Sequence, residues 1–286
     1  MPGPVAIVGH RGARGLFPEN TLTGFQEAHA MGVDVFELDV GLTKDGVAVV
    51  SHDPALNPDL TRDRAGHWLR APTPSIQDLT QEELRAFDVG RIRPLSRYRL
   101  RFRKQAPRDG ARIPTLVEVL SLSPVLRFVI ELKTGPANPG TTPDPVRLTE
   151  AVLAAIDATG TADRATIESF DWRGPRHARR LRPEIRTAWL TRAETTRDAA
   201  LWWDIASPTA SIPAAIAAEG GQVWAPAHET LTRAGLDAAH ALGLTVLPWT
   251  VNNRRVMRRL IAWGVDGLIT DYPDIAAKEA DQSVMR

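Results

Sequence analysis

The chain has 286 residues, with 35 Lys and Arg against 34 Asp and Glu, a net charge of +1 and no cysteine. Near-cancellation of charge excludes a protein that holds nucleic acid by bulk positive charge, and the missing cysteines exclude thiol nucleophiles, thiolate-held metals and disulfides. No segment reaches the ~18 uninterrupted apolar residues that span a bilayer, and the N-terminal stretch lacks the basic and apolar regions of a secretory leader, so the expected place is the cytoplasm, or the periplasm if a leader has been removed.

In chain order, short runs rich in Val, Ile and Leu alternate with stretches of helical period. Strands are expected at 5–9, 35–40, 127–132, 165–169, 186–190, 222–225, 245–250 and 267–270. Helices are expected at 20–31, 115–122, 143–159, 172–181, 198–203 with 212–218, 230–242 and 254–263, with Asn20 or Thr21 as an N-cap and Gly32, Gly243 and Gly264 as stops. A further strand-like run, 47–50, follows the second strand through Thr43-Lys44-Asp45-Gly46. A turn that short joins antiparallel strands, so 47–50 folds back as a hairpin. Eight strands separated by helical connections favour an α/β fold, a closed (β/α)8 TIM barrel over an open doubly wound sheet, with its chemistry at the carboxyl ends of the strands.

One stretch breaks the repeat. Residues 54–112 carry prolines, many arginines and little regular period, too long for an ordinary connection, and read as an inserted subdomain over the C-terminal face of a single-domain chain. Its second half holds Arg91, Arg93, Arg97, Arg99, Arg101, Arg103, Lys104, Arg108 and Arg112, interleaved with Tyr98 and Phe102. A solvated basic face and a surface that attracts anionic substrates or lipid surfaces both fit.

Polar groups interrupt the apolar strands at their ends: His10-Arg11 after the first, Glu37 and Asp39 in the second, His52 after the hairpin, Glu131 and Lys133 in the third. Because side chains alternate across a strand, Glu37 and Asp39 share a face, as do Glu131 and Lys133. Converging carboxylates repel unless a cation sits among them, and oxygen ligands alone suit Mg2+, Ca2+ or Mn2+. The plainer alternative is a salt-bridge network with Arg11 and Lys133. His10 and His52, near-neutral in pKa, suit an acid and base pair, with structural histidines as the alternative. Arg11 and Lys133 would grip a phosphate oxygen.

These residues, with Pro18-Glu19-Asn20-Thr21, Ile113-Pro114-Thr115-Leu116, Trp249-Thr250-Val251-Asn252 and 264–271 in the same order, resemble the glycerophosphodiester phosphodiesterases. The resemblance implies a phosphatidylinositol phospholipase C-like barrel with the insertion at 54–112. It implies hydrolysis of small glycerophosphodiesters, such as glycerophosphocholine or glycerophosphoethanolamine, to sn-glycerol 3-phosphate and an alcohol. It also implies His10 and His52 as the catalytic pair, Glu37, Asp39 and Glu131 around one divalent cation, Arg11 and Lys133 on the phosphate, and Trp249 on the glycerol side. Glu168 departs from the pattern and reads as an extra ligand for the metal or a glycerol hydroxyl; His228 faces either the surface or the pocket. Lysophospholipids or other phosphodiesters as substrates, and an inactive anion-binding barrel, are the rival readings. The sequence leaves oligomeric state open.

Overall fold

The computed structural model describes residues 5–137, 140–204 and 211–284. Its strands are β1 (Ala6–His10), β2 (Val35–Leu42), β3 (Ala48–Val50), β4 (Arg127–Leu132), β5 (Ala165–Ser169), β6 (Arg186–Thr191), β7 (Val223–Pro226), β8 (Thr245–Val246) and β9 (Gly267–Thr270). They join in the order β8-β7-β6-β5-β4-β2-β1-β9, all parallel, while β3 alone runs antiparallel against β2 with Val50 opposite Val40. The short Asp-Gly hairpin therefore forms as the turn chemistry requires. Backbone bonds close the ring between β8 and β9: Asp266 N–H to Val246 C=O (3.2 Å), Ile269 N–H to Pro248 C=O (3.0 Å) and Val251 N–H to Ile269 C=O (2.9 Å). The result is a nearly closed (β/α)8 barrel.

The eighth strand, expected over 245–250, is cut to two residues. Pro248 has no N–H to give to a ladder, although Leu247 and Trp249 N–H still donate to Trp224 and Pro226 C=O. The helices are α1 (Leu22–Ala30), α2 (Gln81–Leu84), α3 (Arg97–Arg101), α4 (Leu116–Leu120), α5 (Pro145–Thr159), α6 (Arg173–Leu181), α7 (Ala193–Arg197), α8 (Ala199–Trp202), α9 (Ile212–Ala218), α10 (Arg233–Ala241), α11 (Arg254–Trp263) and α12 (Pro273–Val284). Thr21 caps α1, its Oγ1 accepting from Gly24 N–H at 3.0 Å, and Asn20 is released for other work. The expected helix at 198–203 is α8, while α7 just before it and α12 at the end lie outside the helices expected from the periodicity.

Alternation sorts each strand into two faces. Val8, Val129, Ala188, Val223, Leu247 and Ile269 pack together inside the barrel. Leu38, Val40, Ile130, Leu132 and Ile167 face outward against Phe25, Leu116, Leu148 and Val152 of the helical layer. On the opposite side Trp172 stacks on Trp203 (centroids 4.1 Å apart) and meets Trp189 edge-on (4.9 Å). Within 54–112, Leu56, Ile76 and Leu84 pack with Val49 of the hairpin and Ile113. Its later part is tied to the β1–α1 loop by Ala106 N–H to Leu16 C=O (2.7 Å) and Gln105 Nε2 to Arg14 C=O (2.8 Å).

Candidate active site

At the carboxyl ends of β1, β2 and β4, His10, Glu37 and Glu131 stand two residues beyond the inward aliphatic Val8, Val35 and Val129. Register places His10 beside Glu37, Asp39 beside Glu131, and Glu131 beside Glu168. Adjacent strands lie about 4.8 Å apart, so register partners are within side-chain reach. The outcome is a cavity of about 520 Å³ walled by His10, Arg11, Glu37, His52, Glu131, Lys133, Glu168 and Trp249. Arg14, Asp53, Asn57, Tyr98, Arg101, Phe170, Leu190, Arg192 and Trp202 complete much of the wall, three of them (Asn57, Tyr98 and Arg101) from the 54–112 stretch. A smaller cavity of about 40 Å³ also touches His52 but contains none of the carboxylate cluster.

The turn after β1 is shaped by sterics. A Cβ on Gly9 would sit 1.9 Å from the Gly12 carbonyl oxygen, and Arg11 adopts a left-handed φ of 53°. That turn aims the Arg11 N–H at Glu37 Oε2 (2.9 Å). The guanidinium lies between two acids, Nη1 donating to Glu19 Oε1 (2.7 Å) and Nε standing 3.1 Å from Asp39 Oδ2.

Each histidine is oriented through Nδ1. His10 Nδ1 lies 2.5 Å from Asp271 Oδ1, and His52 Nδ1 lies 2.7 Å from Asp53 Oδ1. Asp271 also accepts from Arg14 Nε (2.7 Å) and Asn252 Nδ2 (2.6 Å), and Asp53 from Asn57 Nδ2 (2.7 Å). Burial opposes charge on Asp271, but His10 and Arg14 outweigh it and hold the carboxyl well below its usual range. An ionised Asp271 makes Nδ1 the donor, leaving the His10 Nε2 lone pair 3.7 Å from Glu37 Oε2. Burial pushes the His10 pKa down to about 4, with Asp271 opposing and Arg14 and Arg11 assisting.

Glu37, Glu131 and Glu168 offer carboxylate oxygens all within 4.8 Å of one another, and all three are buried. Burial first, then Asp39, Glu168 and Glu131, raise Glu37 well above the ordinary range; burial, Glu131 and Asp39 do the same to Glu168. Glu168 Oε2 is buried without a hydrogen-bond partner. Asp39 is fully buried and does not line the cavity: its Oδ2 accepts from Asn20 Nδ2 (2.9 Å) and faces Arg11, and its Oδ1 lies 3.4 Å from Lys133 Nζ. Burial works against its charge, but Arg11, His52 and Lys133 hold it well below the carboxylate range. Lys133 Nζ also donates to Glu131 Oε1 (2.8 Å). The donor set is oxygen only, with an orphaned buried oxygen among acids short of positive charge, and this fits a hard divalent cation.

Trp249 meets Phe170 edge-on at 5.3 Å, Phe170 faces Trp202 at 6.5 Å, and the Arg192 guanidinium lies over the Phe170 ring at 4.9 Å. His228 is outside this wall; its Nε2 lies 3.2 Å from Glu229. Sequence reasoning left Asp271, Asp53, Arg14, Asn252 and the Phe170, Trp202 and Arg192 wall without roles. Asn252 and Asp271 stood within the recognised motifs and Asp53 directly follows His52, whereas the aromatic wall carries no local signal.

Residues 10–275 match the glycerophosphoryl diester phosphodiesterase family. A glycerophosphodiester phosphodiesterase of Caldanaerobacter subterraneus subsp. tengcongensis is 30% identical over 271 residues, covering 94% of this chain and 94% of the relative. A Silicibacter pomeroyi crystal structure described under the same family name superposes with a TM-score of 0.91 at 37% identity, over 99% of this chain and 95% of that one. The Oleispira antarctica phosphodiesterase solved with its product sn-glycerol-3-phosphate shares the fold, with a TM-score of 0.73 at 22% identity over 97% of each chain.

Proposed function

The chain belongs to the glycerophosphodiester phosphodiesterase family, and from that premise we propose that it converts glycerophosphodiesters such as glycerophosphocholine or glycerophosphoethanolamine into sn-glycerol 3-phosphate and the free alcohol. The observation that carries this reading is the cavity that gathers both histidines, Glu37, Glu131, Glu168, Arg11 and Lys133. The product bound by the Oleispira antarctica neighbour agrees with it.

In this reading Glu37 and Glu131, with Glu168 beside them, would hold one divalent cation, Mg2+ or Ca2+ with Mn2+ a further candidate, while Asp39, the third expected ligand, stands behind them against Arg11 and Lys133. Bound there, it supplies positive charge to the phosphate oxygens. Arg11 and Lys133 neutralise the same diester and meet the charge that builds up in the transition state. His10 Nε2 takes the proton of the attacking hydroxyl, water or the substrate's own glycerol 2-hydroxyl, because its Nδ1 proton is committed to Asp271. His52, steadied by Asp53, returns a proton to the leaving alkoxide. Residues 54–112 act as a cap, bringing Asn57, Tyr98 and Arg101 to the leaving-group side. Trp249, Phe170 and Trp202 give the glycerol and alcohol portions a dry wall.

Enzyme-coupled detection of sn-glycerol 3-phosphate across a panel of glycerophosphodiesters, in EDTA and in defined divalent ions, tests the reading. Turnover of at least one small diester that needs added cation is expected. Full turnover in EDTA, or none on any member, overturns it. Lysophospholipids are the second reading, favoured by the extent of the aromatic wall.

A further inference from the structure

Residues 91–104 carry seven cations, Arg91, Arg93, Arg97, Arg99, Arg101, Arg103 and Lys104, and no carboxylate occurs between 89 and 108. One of these charges meets a carboxylate, Arg91 pairing with Asp109 at 2.5 Å. Arg99 Nη1 donates to Phe102 and Gln105 C=O (3.3 and 3.0 Å), Arg103 Nε to Leu100 C=O (3.3 Å), and the Arg101 guanidinium lies over the Phe102 ring at 5.3 Å. Among the described residues, no carboxylate lies within ion-pair distance of Arg93, Arg97, Arg101, Arg103 or Lys104. A merely solvated basic face would be expected to lack apolar projections, yet Leu95 is 95% exposed and Leu100 is 57% exposed on the same surface. Leu95 also holds a left-handed φ of 62°, unusual for a branched side chain, at the tip of the turn leading into α3.

The platform is anchored. Phe102 and Ile92 are buried, Ser96 Oγ caps α3 by accepting from Arg99 N–H (3.0 Å), and the Tyr98 hydroxyl donates to Glu19. Tyr98 and Arg101, on this same helix, also wall the cavity. The projecting leucines and the unpaired cations therefore stand beside the mouth of the site.

We propose that the α3 face docks on an anionic lipid surface, Leu95 and Leu100 entering the headgroup region while the arginines meet lipid phosphates. The leucines decide for lipid over nucleic acid, because a phosphate backbone offers them nothing to enter, whereas an interface does. The consequence for substrate class rests on the functional reading above: docking turns the cavity toward phosphodiesters carried in lipid aggregates, such as lysophospholipids.

Vesicle co-sedimentation tests the docking without any turnover. The protein is expected to bind phosphatidylcholine vesicles containing about one third phosphatidylglycerol, to ignore pure phosphatidylcholine, and to release in high salt. Each cation near such a surface adds about fivefold to partitioning, so R97E/R103E is expected to weaken binding by at least about tenfold. L95S/L100S, which changes no charge, is expected to weaken binding to vesicles while leaving retention on heparin unchanged, and both pairs should keep the wild-type thermal midpoint. Absence of binding to anionic vesicles, indifference to both pairs, or equal loss of vesicle and heparin binding in L95S/L100S overturns the proposal. Hydrolysis of a micellar lysophospholipid stimulated by anionic vesicles, with the small-diester rate unchanged, supports the coupling to the site. Docking that persists in a protein inactive on every diester refutes the functional reading and spares the docking.

Discussion

His10 and His52 have the same construction at different depths. Both send Nδ1 to an aspartate, but His10 is buried against an acid three groups share, whereas His52 sits partly open beside Asp53 and Asn57. That asymmetry suits a buried base and an accessible acid. His10→Ala and His52→Ala are each expected to lower kcat by about 10² to 10⁴ with little change in thermal midpoint. Steady-state rates on the preferred diester check this, and a variant retaining wild-type kcat removes that histidine from the mechanism. Glu168 makes a separate case, because its Oε2 is buried without a partner while Glu37 and Glu131 lie within reach. Glu168→Gln keeps the shape and removes the charge, so cation affinity measured by titration calorimetry should fall about tenfold or more. Unchanged affinity would assign Glu168 to the substrate hydroxyls alone.

At the scale of elements, the carboxyl-end turns decide what the strands can present. Gly9 lets β1 end in a turn whose Gly12 carbonyl passes 1.9 Å from where a Cβ would lie, and that contact is with backbone, which cannot swing aside. Gly9→Ala is expected to cost about 3 kcal/mol in urea unfolding and to reduce activity by displacing His10 and Arg11. A neutral result would mean that the turn relaxes freely. The strands and their polar inward ends were legible in the sequence because alternation is strict and the apolar runs are short: Val35, Glu37 and Asp39 follow one face by counting alone. Three features were not. Pro248 truncates β8 although its composition reads as strand. α12 is polar enough to look like a tail, yet Ala276 is fully buried. The departure of Asp39 toward Arg11 and Asn20, with Glu168 closing up to Glu37 and Glu131, depends on side-chain competition among neighbouring strands, which no local pattern records.

For the whole molecule, the net charge of +1 conceals a separation: acids crowd the barrel mouth while arginines crowd residues 91–108 beside it. The crowding has a thermodynamic signature. Glu37 and Glu168 have folded pKa values raised first by burial and then by neighbouring acids. The folded protein therefore keeps protons there that the unfolded chain releases near pH ~4.3. With more protons bound when folded, this contribution to stability is full below that pH and is lost as pH rises through the raised values. Asp39 and Asp271 act in the opposite sense, their depressed values giving stability that is lost as pH falls. A divalent cation bound there would replace the protons on Glu37 and Glu168, so its stabilising effect would grow with pH. At a cation concentration about 100 times its Kd the gain is about 2.7 kcal/mol, or roughly 4 to 5 °C in Tm for a chain of this size. Differential scanning calorimetry in Mg2+ or Ca2+ against EDTA should show a difference that is small near about pH 5 and several-fold larger near about pH 8. A difference that is absent at both, or equal at both, would mean that the raised carboxyls do not share their site with a cation.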